Sequence, residues 1–260
     1  MRKGSAIKMA IETTLRKTWA AAGQKQTLGE LAIRFSGTGA KMAVGNSQTG
    51  NLDIFMQLPD FDDNKAFSNE HADRIVGFAL HEIGHAFFTD TKGWEAAVQA
   101  HADKNERPAL HRCINAFEDV RMERMMITSG YAVGSGKLFA AVLAHMCKDN
   151  KPEHFTAASN VPFAVCVNGR RYGIDVNNML PAAFRKIVDK AMLKCDALQT
   201  TDDAIAAGKW LLNELKLAGD QPGDQPGDQP GDEPGKEKGK KKGKPQKDGE
   251  PGGEGEGEGE

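Results

Sequence analysis

Long hydrophobic runs are missing from this chain. No stretch approaches the ~20 consecutive apolar residues that a membrane span needs, so no membrane partner is expected. No secretory leader is expected either. The basic opening MRKGSAIKMAIETTLRKTWAA is broken by Lys8, Glu12, Arg16 and Lys17 before an apolar core can develop. Cysteine is scarce: Cys113, Cys147, Cys166 and Cys195 form no CxxC pair, so reduced thiols in a cytoplasmic setting are expected rather than a disulfide framework. Charge of one sign is not in excess either. With 34 Lys+Arg against 36 Asp+Glu, the 260 residues carry a net −2, and no nucleic-acid partner is implied.

What remains divides at Gly219. Residues Gly219 to Glu260 contain only Gly, Asp, Gln, Pro, Glu and Lys, with 7 basic against 12 acidic side chains. Such a segment cannot bury enough surface to offset chain entropy, so a disordered tail or linker is expected there. Residues 1–218 carry 27 basic against 24 acidic side chains and all the apolar ones. They are long enough for one sizeable core. The division is therefore a domain over 1–218 and a low-complexity tail over 219–260.

Within the domain, Ile7, Ile11, Leu15 and Trp19 recur every four residues and predict an amphipathic helix. Leu31–Phe35, Lys41–Val44 and Leu52–Leu58 read as two or three antiparallel strands, the last an edge strand able to pair with an extended substrate. Ser68 or Asn69 caps a helix from about Glu70 to Phe88. Further helices are expected near Trp94–Asp103, from Pro108 to about Thr128, over Lys137–Lys148, over Pro181–Leu198 and over Asp202–Leu217. Val161–Val167 and Arg170–Val176, joined by Asn168-Gly169, read as a hairpin. The fold class is α+β, mainly α.

His81-Glu82-Ile83-Gly84-His85 is an HExxH pattern. Positions i and i+4 lie one turn apart on one helix face. Two imidazoles there suit one metal ion, and the carboxylate after the first is placed to act as a base. Composition alone yields the pattern in roughly 1% of such chains, and the capped apolar helix around it lowers that further. Two surface histidines on a core helix is the bland alternative. Gly77 and Gly84, seven apart beside the histidines, point to close approach of another backbone.

A catalytic zinc site takes a third protein ligand and keeps one position open. The helix after Pro108 offers Glu118, in mid-helix between Phe117 and Asp119, as that ligand. Asp119 then orients a histidine. Asp119 or Glu123 as the ligand is the alternative, and a solvated ion-pair face is the bland one. Tyr131, in the glycine-rich loop 130–136, is the favoured donor to a developing oxyanion, ahead of His111, His145, His154 and Tyr172. Glu82 is the general base. Met122, Met125 and Met126 read as core residues.

HExxH with a glutamate on a following helix resembles the gluzincin arrangement of zinc metallopeptidases. The longer strings ALHEIGHAFFTD and NAFEDVRME resemble the metallopeptidase-like N-terminal region of CobT-type, von Willebrand-A-containing proteins of bacteria and large bacteriophages. The likeness spans roughly Ser68 to Arg124. It implies a zincin-like core, one Zn2+ per chain held by His81, His85 and Glu118, a peptide or protein substrate, and an AAA+ ATPase partner. No DxSxS motif occurs in the chain, so the von Willebrand part of the pattern is not represented. Three functions follow as expectations: a zinc metallopeptidase, an inactive zinc-binding adaptor or assembly protein, and a chelatase-type component.

Overall fold

The computed structural model of the chain describes residues 1–21, 28–36, 40–46, 52–59 and 62–219; the expected tail lies outside them. The described elements are β1 (Arg2–Lys3), α1 (Gly4–Ala21), β2 (Leu28–Phe35), β3 (Lys41–Asn46), β4 (Leu52–Leu58), β5 (Ala66–Phe67), α2 (Asn69–Phe88), α3 (Thr91–Gln99) and α4 (Arg107–Ser129). They continue with α5 (Ser135–Cys147), α6 (Val161–Gly169), α7 (Ala182–Ala197) and α8 (Thr201–Leu217). The fold is mainly helical with little sheet.

Two corrections concern the sheet. Its order is β2-β4-β3, with β2 parallel to β4 and β3 antiparallel to it, so it is mixed rather than antiparallel. Leu52–Leu58 is the central strand, not an edge. Alternation along a strand reports which face is buried, and it does not encode how many neighbours the strand has. Ile54, Met56 and Leu58 are fully buried on one face.

That face joins Ile7, Ile11, Leu15 and Trp19 of α1 and Ile75, Ala79, Leu80 and Ile83 of α2 in one apolar cluster. A second cluster is built from α3, α4, α6, α7 and α8 around Phe117, Leu110 and Ile114. Each fully buried side chain of this size contributes on the order of 1.5–3 kcal/mol.

The third correction is α6. Val161–Val167 is helical, not the first arm of a hairpin. A short all-apolar run fits a buried helix as well as a buried strand. Pro162 falls in the first turn, where its missing N–H costs nothing, and the helix is apolar all round because the second cluster encloses it. The chain does turn after Asn168-Gly169: Arg171 takes a left-handed φ of 56°.

Helix α2 begins as expected. Ser68 Oγ accepts from the His71 N–H at 3.1 Å. Gly77 lies against α5, where an added Cβ would stand 2.7 Å from the Leu138 carbonyl oxygen. Gly84 lies against the Met122 side chain of α4. The two glycines let α5 and α4 close on the face that carries the histidines.

Candidate metal centre

Helices α2 and α4 cross with two i, i+4 pairs facing each other. His81 and His85 come from α2, and Asp119 and Glu123 from α4. His81 Nδ1 meets Glu123 Oε1 at 2.8 Å, and His85 Nε2 meets Asp119 Oδ1 at 3.4 Å. The numbering rises on one helix as it falls on the other, so the crossing is antiparallel. Both histidines lie in the seam between the two apolar clusters. Their side chains are 18% and 10% exposed.

Three ligand atoms converge there. His81 Nε2 and His85 Nε2 are 3.2 Å apart, and Asp119 Oδ1 stands 3.7 Å from the first and 3.4 Å from the second. A tetrahedral ion about 2.0–2.1 Å from each atom would hold them about 3.3–3.4 Å apart. Among the described residues, His81, His85 and Asp119 are the only group of three such side chains brought together in this way.

The chemistry of the donors fits a cation as well as the spacing does. Glu123 accepts from His81 Nδ1–H. Thr89 Oγ1 gives its proton to Glu118 Oε1 at 2.6 Å, so it accepts from His85 Nδ1–H at 2.9 Å. Both rings therefore turn their Nε2 atoms toward Asp119 Oδ1. That oxygen is buried and has no hydrogen-bond partner. Such a group asks for a positive charge at its centre. Without a metal, a proton supplies it. Burial alone would lower the pKa of His81, but Asp119 and the hydrogen bond His81 donates to Glu123 outweigh it and raise it to about 9. Burial would likewise raise the Asp119 carboxyl, but His81, then His85 and Arg170, hold it well below the usual carboxylate range.

The other oxygen of Asp119 is occupied. Oδ2 accepts from Arg170 Nη2 at 2.8 Å, Asn115 Nδ2 at 3.3 Å and the Cys166 thiol at 3.7 Å. Arg170 also lies 3.3 Å from Glu123 Oε2, where Tyr172 donates its hydroxyl at 2.8 Å. Burial and then the Glu123 charge push the Tyr172 phenol far above its ordinary value, so it stays a donor.

Glu118 is not brought to the histidines as a ligand. It is completely buried, and Arg121 takes both its oxygens, through Nη2 at 2.5 Å and Nε at 2.9 Å. Thr89 and Thr201 add their hydroxyls. The two neighbours on α4 are thus placed the other way round from expectation: Asp119 faces the two histidines, and Glu118 reaches His85 through Thr89.

Glu82 sits within α2 between the two histidines and is 7% exposed. Tyr131 packs on Phe88 and Phe87, with ring centroids 6.0 Å from each. His111 stacks on Trp94, His145 meets Arg74, and His154 is exposed in a 3-10 turn. Of the candidate donors, Tyr172 is the one tied to the centre. Met122 and Met126 are fully buried, and Met125 is half-buried.

Arg170 was not legible from sequence, because its reach to Asp119 depends on how α6 ends. Glu123 had a signal, since Asp119 and Glu123 repeat the spacing of His81 and His85.

No protein-family model, no curated protein and no solved structure matches the chain. No helix among the described residues is long and apolar enough to cross a membrane.

Proposed function

We propose that the chain is a zinc-dependent metallopeptidase-like protein. In this reading His81, His85 and Asp119 hold one Zn2+ and Glu82 serves as general base. The observation that carries it is the convergence of two Nε2 atoms and an unpartnered carboxylate oxygen at 3.2, 3.4 and 3.7 Å. That spacing suits a four-coordinate ion better than a small octahedral one such as Mg2+, whose adjacent ligands at ~2.1 Å would lie about 3.0 Å apart.

When bound, zinc lowers the pKa of a water toward ~7 and polarises a carbonyl. The rest falls to the chain. Glu123 and Thr89 fix both imidazoles with Nδ1 protonated, which leaves the Nε2 lone pairs free to hold an ion. Three protein ligands leave a position open, as catalytic sites require. Glu82 receives the proton of the attacking water at its carboxylate and returns it to the departing amine. A purely structural site has no use for that carboxylate.

Elemental analysis of the purified chain should find about one zinc, lost in His81→Ala and His85→Ala and kept in Glu82→Gln. A broad peptide library should be cleaved by the wild type, spared with chelator, and cleaved at least ~100-fold more slowly by Glu82→Gln. Equal cleavage by wild type and Glu82→Gln defeats the peptidase reading. The site would then serve folding or the docking of a partner, such as the AAA+ ATPase that the resemblance implies.

A further inference from the structure

We propose that Arg170 is a positioning residue that makes Asp119 a one-oxygen ligand, and thereby selects a small four-coordinate ion over a larger oxygen-seeking one such as Ca2+. This rests on the metal reading of the site and adds to it a cause for its selectivity.

A carboxylate can give an ion one oxygen or two. Calcium sites gather 6–8 oxygens and use two-oxygen carboxylates freely, whereas four-coordinate zinc leaves no room for a second oxygen. Nothing in the aspartate itself decides between them. In this chain Oδ2 is already committed. Arg170 holds it at 2.8 Å from within the fold, its side chain only 5% exposed. The guanidinium is itself anchored beside Glu123 Oε2 at 3.3 Å. Turning Asp119 to present both oxygens would strip a buried guanidinium of its carboxylate, which costs several kcal/mol. Asn115 at 3.3 Å and the Cys166 thiol at 3.7 Å are weaker holds on the same oxygen.

Arg170 reaches the site because α6 ends at Gly169 and the chain turns sharply at Arg171. The same turn delivers Tyr172 to Glu123. One turn therefore supports both the third ligand and the residue that orients His81.

The test uses the full chain loaded with Co2+, whose four-coordinate complexes absorb strongly in the visible and whose six-coordinate ones absorb weakly. Wild type should give strong bands. Arg170→Gln should weaken them, lower zinc affinity ~10–100-fold and let Ca2+ compete better. Arg170→Lys, which keeps a charged donor for Oδ2, should restore part of the intensity. Asn115→Ala, which removes only a 3.3 Å hold on the same oxygen, should weaken them less than Arg170→Gln does. Strong bands and unaltered zinc affinity in Arg170→Gln overturn the proposal.

If Arg170→Gln fails to fold, the wild type decides alone. With 13C-labelled aspartate, infrared difference spectra of zinc-loaded against zinc-free chain report the gap between the two carboxylate stretches. A widened gap marks one-oxygen binding and supports the proposal. A narrowed gap marks two-oxygen binding and overturns it while the metal site stands. A wild type that takes up no ion overturns both.

Discussion

Glu118 and Asp119 are consecutive residues of α4, both buried and both paired with an arginine, yet only one faces the histidines. Successive residues on a helix point about 100° apart. Glu118 turns toward Thr89, Thr201 and Arg121, and Asp119 turns toward α2. Arg121 takes both oxygens of Glu118, and two hydroxyls add to Oε1, so neither oxygen is without a donor. Arg170 takes one oxygen of Asp119 and leaves the other bare. Burial and an arginine partner do not distinguish a metal ligand from a structural carboxylate. The unsatisfied lone pair does.

The sharpest way to break that comparison is to remove each carboxylate in turn. Asp119→Ala should abolish zinc binding, with affinity down more than ~100-fold, and cost stability as well, since Arg170 then keeps only Glu123 as a partner. Glu118→Gln should keep its zinc within ~10-fold but lose about 3–5 kcal/mol of stability, because it leaves the Arg121 charge buried without its partner. Metal titration and urea unfolding of both variants read the two effects separately. If Glu118→Gln loses zinc as completely as Asp119→Ala, the assignment of roles is wrong.

A second prediction concerns the proton that competes with the ion. His81 keeps its proton to about pH 9 when no metal is bound, so zinc binding at pH 7 should release about one proton from it. Calorimetry in buffers of different ionisation enthalpy measures that number. Affinity should rise close to tenfold per pH unit between pH 7 and 8 and flatten above 9. The same raised pKa stabilises the metal-free fold below pH 6.5, and this contribution disappears as pH rises through 9. The melting temperature of the metal-free chain should therefore fall across that window, and that of the zinc-loaded chain should not follow it. Proton release near zero would mean that His81 is already neutral.

The contrast between the two carboxylates also marks what could be read from sequence. Helix α2 was legible almost to the residue, because Ser68 caps it and its apolar spacing is helical throughout. His81 and His85 were legible because HExxH fixes their geometry within one helix. Which carboxylate meets the histidines depends on how α4 is rotated against α2, which no local pattern states directly. Two clues lay in the spacing. Glu118 and Arg121 are i, i+3 and of opposite charge, the mark of an ion pair. Asp119 and Glu123 are i, i+4, matching the histidines they meet. Arg170 lay beyond reach and Tyr172 was one candidate donor among five, because Val161–Val167 reads equally as strand or helix and the turn after it aims both side chains.

A smaller test compares how the two histidines are held. His81 leans on a full charge, Glu123, itself backed by Arg170 and Tyr172. His85 leans on a neutral hydroxyl that passes the interaction on to Glu118. A carboxylate partner raises the basicity of a ligating imidazole more than a hydroxyl does. Glu123→Gln should then cost zinc affinity near the upper end of the ~10–100-fold range for such partners, and Thr89→Val near the lower end. Thr89→Val keeps the side-chain shape and leaves the Nδ1–H of His85 buried without an acceptor, so it should also cost about 1–3 kcal/mol of stability. Zinc competition against a chromophoric chelator, with urea unfolding alongside, measures both. Equal losses of affinity in the two variants would mean that the distant Glu118 charge reaches His85 through the hydroxyl undiminished, and the two supports would be equivalent.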